Sequence, residues 1–344
     1  MTRAADLQFC IDILPRVSRS FALNIRVLKG DLYTAVLCAY LFCRIVDTVE
    51  DHESLPLATR NTLLEEYLMI FNSRDFSSDR ICRWINLFGK IDTDDPEHLL
   101  IQNVQSVFAT YSTLSSRTQT AIAECVLEMT SGMRETVNRQ ILERTKLHTL
   151  KSMAELEQYC YFVAGTVGVM LTRLFVLQSS SIGPETALSM EKLQGSFACG
   201  LQMTNIIKDC YEDYQRGWCY IPEEMALAEG VPLAEFLQPA CGLQSLAVLN
   251  RVIITAARHL DDALLYTLLI PRREVRMRLF NLWSLFFAIK TLRLAWNNED
   301  LLTGSKKVKI PRLTVYRTLW QTSWRVFSNS LLHHLYMKHR TAIS

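Results

Sequence analysis

A chain of 344 residues can hold one large domain or two ordinary ones, and with 49% apolar residues it can build a sizeable core. Its 12 glycines and 9 prolines are about half of average usage, which argues against a turn-rich β architecture and for long helices. Charge is nearly balanced, 37 basic against 35 acidic residues for a net +2, so nothing points to a nucleic-acid partner.

The N-terminal MTRAADLQFCID has acids early and no apolar run of signal-peptide length, so secretion is not expected. A first uncharged helical stretch follows at Leu32–Cys43, and polar breaks at 72–80 and 91–98 separate the helices after it. Tyr159–Thr172 is a second uncharged stretch, closed by a break at 178–185, and Leu193–Ile207 is a third. Further breaks fall at 297–300 and 304–312, and no strand-like alternation persists between any of them. A helix apolar on every face is surrounded by protein, so these three stretches are expected at the centre of a bundle. No linker marks a boundary, and one all-α domain over residues 1–344 is the expected organisation.

The ten cysteines are scattered without a C-x-x-C pair, which disfavours zinc and disulfides and suits a reducing cytoplasm. No run reaches the ~18 uncharged apolar residues of a membrane span. Leu279–Ile289 comes closest, interrupted by Asn281 and Ser284, so a soluble or membrane-peripheral protein without a transmembrane anchor is expected.

Two of the apolar stretches run into acid. Leu32–Cys43 continues into Arg44, Asp47, Glu50 and Asp51, and Leu193–Ile207 continues into Lys208, Asp209, Glu212 and Asp213. In each D-x-x-E-D the aspartates are four residues apart, on one helical face about one turn apart. A single acidic pair of this spacing is most often a solvated helix end. Like charges one turn apart beside a buried core, twice in one chain, are costly unless a cation compensates. Mg²⁺, with Mn²⁺ as the alternative, takes carboxylate oxygens and bridges them to substrate phosphates. Asp47, Glu50, Asp51, Asp209, Glu212 and Asp213 are therefore the candidate metal ligands.

These residues sit in blocks that resemble the squalene/phytoene synthase family: SRSFALNI (18–25), YLFCRIVDTVED (40–51), YCYFVAGTVG (159–168) and QMTNIIKDCYEDYQRG (202–217), with a weaker match at LWSLFFAIKTL (282–292). The resemblance implies an all-α isoprenoid-synthase bundle around a prenyl-binding cavity. It implies that Asp47, Asp51, Asp209 and Asp213 bind Mg²⁺–diphosphate and that Ser18, Arg19, Ser20 and Phe21 line the diphosphate end. Arg44, Gln202, Asn205, Lys208 and Arg216 become further substrate contacts, and Tyr159 an aid to proton removal. Blander roles stand beside these. Ser18 and Ser20 suit a helix cap, Tyr159 suits the core, and Gly165 and Gly168 suit close helix packing as well as room for a prenyl tail.

The chain departs from the family pattern at Gly217-Trp218, where Gly-Arg is usual, leaving Arg216 as the nearest replacement. Lys208 stands where many members have arginine, which keeps the charge but removes a bidentate donor. Val308-Lys309-Ile310-Pro311-Arg312 matches only in part a segment linked to NADPH use, making Lys309 and Arg312 the cofactor-binding candidates. The implied reaction is head-to-head condensation of two farnesyl diphosphates through presqualene diphosphate to squalene, with NADPH as reductant. Phytoene or dehydrosqualene synthesis without the hydride step, a class I terpene cyclase and a non-catalytic assembly factor are the alternatives. Retention of all four motif aspartates counts against the last.

Overall fold

The computed structural model describes residues 3–343 apart from 53, 90, 91, 93 and 144–146, with the backbone alone for Arg3, Arg19, Ser20 and Glu143. The fold is all-α, as expected, and the chain divides into two compact units, residues 1–144 with 169–180 and residues 145–168 with 181–344.

In the first unit the helix Gly30–Glu50 packs against Val104–Tyr111 and Ser116–Glu143. Its apolar stretch is buried on nearly every turn, from Leu32 and Ala35 through Phe42 to Val49. Phe42 anchors an aromatic cluster, with Phe108 at 4.8 Å, Phe71 at 5.1 Å and Tyr111 at 5.4 Å between ring centroids. Burial of this order stabilises by roughly 1.5–3 kcal/mol per large side chain relative to exposure, so the helix end bearing Asp47 and Asp51 is rigidly based.

In the second unit the helix Gln194–Lys208 packs against Gly242–Leu269, Val275–Ala295 and the single π-helical turn Tyr161–Gly165. Gly200 allows the close approach to Gly242–Leu269, since a Cβ there would lie 2.9 Å from Leu260 and 3.0 Å from the Cβ of His259. Ser196 Oγ ties the same pair of helices, donating to Asp262 Oδ2 at 2.7 Å and meeting His259 Nδ1 at 2.7 Å.

Two expectations are corrected, and among the described residues the helices are accompanied by two short strands, His148–Leu150 and Trp218–Pro222, paired in parallel with His148 opposite Trp218 and a register irregularity after Thr149. Each is too short for alternation to signal it, so tertiary packing decides. Tyr159–Thr172 is not enclosed throughout: Tyr161, Phe162, Val163 and Val167 stay partly accessible. Leu279–Ile289 is not the stretch closest to membrane length. Gly30–Glu50, Met153–Gln178 and Pro239–Leu269 are long and apolar enough to cross a membrane by length and composition, with 72%, 44% and 39% of their windows buried inside the protein. An uninterrupted-run criterion misses them because one or two charges break the run without lowering mean hydropathy much.

Candidate active site

The first acidic cluster is built on the last turns of Gly30–Glu50. Asp51 ends the helix and donates its N–H to Asp47 O at 2.9 Å, so the two aspartates keep the one-turn spacing. Arg44 reaches Asp47 Oδ2 at 3.9 Å and also pairs with Glu97. Asp47 is 28% exposed, and burial, opposed by Arg44 and assisted by Asp51 and Glu97, pushes its pKa up to about 7. Glu50 is more deeply placed, and burial together with Asp51 raises it well above the carboxylate range. Burial alone would weaken Arg44's hold on its proton, but Asp47 and Glu97 outweigh that and raise its pKa. Arg44 and Arg60 thus face two carboxylates, Asp47 and Glu50, whose charged forms burial disfavours. Oxygen donors desolvated without enough positive charge fit a hard divalent cation.

Ser18 caps the helix Arg19–Ile25, its Oγ accepting from the Phe21 N–H at 3.3 Å. The capping role is therefore present, and Ser18 also hydrogen-bonds Tyr40, whose pKa burial pushes up to about 12. Phe21 lies 5.7 Å from the Tyr40 ring and is 38% exposed. The side chains of Arg19 and Ser20 lie outside the described residues. Tyr40, Glu97 and Arg60, which donates to the Glu50 carbonyl at 2.9 Å, belong to this half and were not singled out from sequence. Only the fold brings Glu97 beside Arg44, 53 residues earlier.

The second cluster differs in construction. The helix stops at Lys208, Asp209 adopts φ −102°, ψ 8°, and a separate helix Cys210–Gln215 begins. The expectation of one helix running through the motif is corrected, although Asp213 N–H still donates to Asp209 O at 2.9 Å and the spacing survives. Lys208 pairs with Asp209, and Lys307 Nζ lies 2.9 Å from Glu212 Oε1. Burial pulls the Glu212 pKa up, but Lys307 and then Lys208 hold it below its ordinary value. Gln202 is half-buried and Asn205 exposed on the same helix, and Arg216 is exposed where Cys210–Gln215 ends.

The segment 304–308 is docked on this cluster. Gly304, at φ +65°, sits so close to Tyr211 that a Cβ would lie 2.4 Å from its ring. With Lys208, Glu212, Lys306 and Lys307 it borders a cleft of about 10 Å³, room for about one water. Lys309 and Arg312, the sequence-stated cofactor candidates, are exposed and do not line it. The signal for Lys306 and Lys307 was the G-S-K-K run before the partial motif. Among the described residues no three His, Cys, Asp or Glu side chains form a ready-made metal set. Mg²⁺ needs no such set, because it keeps waters and completes its shell with substrate phosphates.

Tyr159 stacks on Tyr220 with centroids 4.8 Å apart and its hydroxyl donates to that of Tyr220 at 3.2 Å. Tyr220 stacks on Trp218 at 5.3 Å, and Trp218 meets the tilted ring of His148 at 4.9 Å. The strand pairing therefore builds an aromatic ladder ending at Tyr159, just before the π turn. Gly168 is filled by backbone, since a Cβ would lie 2.4 Å from Gln194 O, which supports the close-packing role.

The family model for squalene/phytoene synthases matches residues 14–314. The chain is 30% identical to a squalene synthase of Eremothecium gossypii over 306 residues, covering 89% of this chain and 66% of that protein, just under two thirds of its length. The solved structure of TcSQS with the ligand BPH1237 superposes with TM-score 0.77 at 25% identity, covering 98% of both chains. A dehydrosqualene synthase in complex with ligand shares the fold at TM-score 0.64 and 20% identity, over 95% of this chain and 98% of that one. The acid-tipped helices, their spacing and these matches agree: the chain belongs to the squalene/phytoene synthase family.

Proposed function

We propose that the protein condenses two farnesyl diphosphates head to head, through presqualene diphosphate, to squalene. The observation that carries this reading is the desolvated pair Asp47 and Glu50, whose charged forms burial disfavours, beside the exposed Asp51 at the same helix end. At each cluster, Asp47 with Asp51 and Asp209 with Asp213 are the residues that would hold Mg²⁺, which when bound would supply charge to stabilise a departing diphosphate. Arg44 holds its proton strongly and can orient phosphate oxygens at the first cluster. Lys208 and Lys307, already paired with Asp209 and Glu212, do so at the second, with Lys306 lining the same cleft. The accessible apolar side chains Tyr161, Phe162, Val163 and Val167 suit contact with a prenyl chain and exclusion of water from a carbocation. Tyr159, through its hydroxyl contact with Tyr220, provides a relay for the proton lost when the cyclopropane closes.

Lys309 and Arg312 are exposed and offer charge for a nucleotide phosphate. A second reading, in which the reaction ends without reduction, rests on the merely partial match of residues 308–312 to the segment linked to NADPH use. Incubation with Mg²⁺ and farnesyl diphosphate, with and without NADPH, separates the two. Squalene formed only with NADPH supports the first. Dehydrosqualene irrespective of NADPH supports the second, and no C30 product in either condition defeats both.

A further inference from the structure

The helix Arg312–Arg325 carries a face that the fold leaves uncovered. Leu313, Tyr316, Trp320 and Trp324, followed by Phe327 just past the helix, recur at three- and four-residue intervals on one side. Tyr316 is 67% and Trp320 69% exposed, and the other three are exposed as well. Trp320 and Trp324 lie 6.1 Å apart, and the Arg325 guanidinium covers Trp324 at 3.7 Å. The opposite side of the helix, with Thr318 and Thr322, is buried. A contiguous exposed aromatic stripe of this kind marks an interaction surface.

Along one edge of the stripe the same helix borders an open cavity of about 410 Å³, which Thr314, Arg317 and Gln321 line together with Lys290, Arg293 and Lys338. His339 also lines the cavity, and no acid is among the lining residues. Among the described residues none of these four lysines and arginines makes an ion pair. Lys290 is only 8% exposed, its Nζ donating to Thr318 Oγ1 at 2.5 Å, and burial lowers its pKa to about 8. Burial, then Lys290, Arg293 and Lys338, keep His339 neutral, at about 4, which shows how closely the cations gather. Concentrated positive charge without a counter-ion, beside room for a small group, is the recognition chemistry of a phosphate.

We propose that this face docks on an anionic phospholipid surface, with the aromatic stripe at the headgroup boundary and the basic cavity receiving a lipid phosphate. Tryptophan and tyrosine suit that boundary because one end of each ring is apolar and the other can hydrogen-bond. A protein partner fits less well, since lysine is depleted from protein interfaces while the cavity edge is built of unpaired cations. The inference is independent of the reaction proposed above, because nothing in it involves the acidic clusters.

The test uses the full chain in EDTA, without substrate, and vesicles of phosphatidylcholine with or without phosphatidylglycerol. Sedimentation with the mixed vesicles should exceed that with phosphatidylcholine alone, and brominated lipid should quench the tryptophan fluorescence of the unaltered protein. The double substitution Trp320→Ser with Trp324→Ser should weaken partitioning by about tenfold or more. Arg317→Gln and Lys338→Gln should each weaken binding to the anionic vesicles by about fivefold and leave binding to phosphatidylcholine unchanged. Circular dichroism checks that the variants fold, and the quenching arm needs no variant. Absence of vesicle binding overturns the proposal, as does equal binding to both vesicle types. Self-association abolished by the tryptophan substitutions would make the face a contact between copies. Binding of inorganic pyrophosphate in EDTA without vesicle binding would make the cavity a soluble-phosphate site. Either of these results also overturns it.

Discussion

Replacing Gly304 by alanine should loosen the segment that holds Lys306 and Lys307 against the second acidic cluster. Two effects of the same sign act there. At φ +65° an L-residue costs about 1–2 kcal/mol. The added Cβ would also lie 2.4, 2.5 and 2.8 Å from three atoms of the Tyr211 ring, and overpacking of this kind costs about 1–3 kcal/mol. The total is about 2–5 kcal/mol, toward the lower end where the ring swings aside. Gly230 provides the control, because it has φ +74° but nothing within 4 Å of its Cβ position. Gly230→Ala should therefore pay only the backbone cost, about 1–2 kcal/mol. Urea unfolding of both variants, with amide exchange at 306–308, measures the difference. The Gly304 variant should unfold at lower urea, exchange faster at 306–308 and bind Mg²⁺–diphosphate more weakly. Equal losses in the two variants would refute the Tyr211 contact, and faster exchange in the Gly230 variant would refute the docking of the segment.

Asp47→Asn or Asp213→Asn should lower Mg²⁺-dependent turnover by at least about a hundredfold while leaving the helical circular dichroism unchanged, and full activity in either would remove that aspartate from the site. Tyr159→Phe should slow cyclopropane formation about ten- to a hundredfold with little change in substrate binding, measured in single-turnover reactions, whereas an unchanged rate would leave Tyr159 a packing residue. Lys290 has a folded-state pKa depressed from 10.5 to about 8. Its ionised form therefore destabilises the fold below pH 8, and that cost is relieved as pH rises from 8 to 10.5. Lys290→Met should raise the unfolding midpoint at pH 7, by at most about 3 kcal/mol in stability, and the gain should shrink toward pH 10.5. A gain that does not vary with pH would show that its charge is not the cause.

Much of this was legible in the residues because apolar runs ending in acid are strong local signals. Leu32–Cys43 lies within a buried helix, and both D-x-x-E-D clusters keep their one-turn spacing. The helix break at Asp209 was not legible, since K-D-C-Y-E-D holds neither glycine nor proline and the turn follows from packing. Partners from distant segments were equally hidden: Glu97 for Arg44, Tyr220 for Tyr159 and Lys307 for Glu212 are 53, 61 and 95 residues away. Two of the resemblance-based candidates, Lys309 and Arg312, follow a familiar motif but do not line the cleft at the second cluster, while Lys306 and Lys307 do.

The π turn at Tyr161–Gly165 also constrains how this sequence can change. A π turn holds one residue more than the α turn it replaces, and one residue corresponds to about 100° of rotation. Tyr159, committed to the ladder through Tyr220, lies on one side of it, and Gly168, wedged against Gln194, lies on the other. Deleting a single residue here would preserve a continuous helix yet turn one of these contacts a quarter-circle or more out of line. Both partners are themselves fixed, Tyr220 by a strand pairing and Gln194 by the start of the helix that leads to Asp209. Side chains along this stretch are free to vary within their volumes, but its length is not.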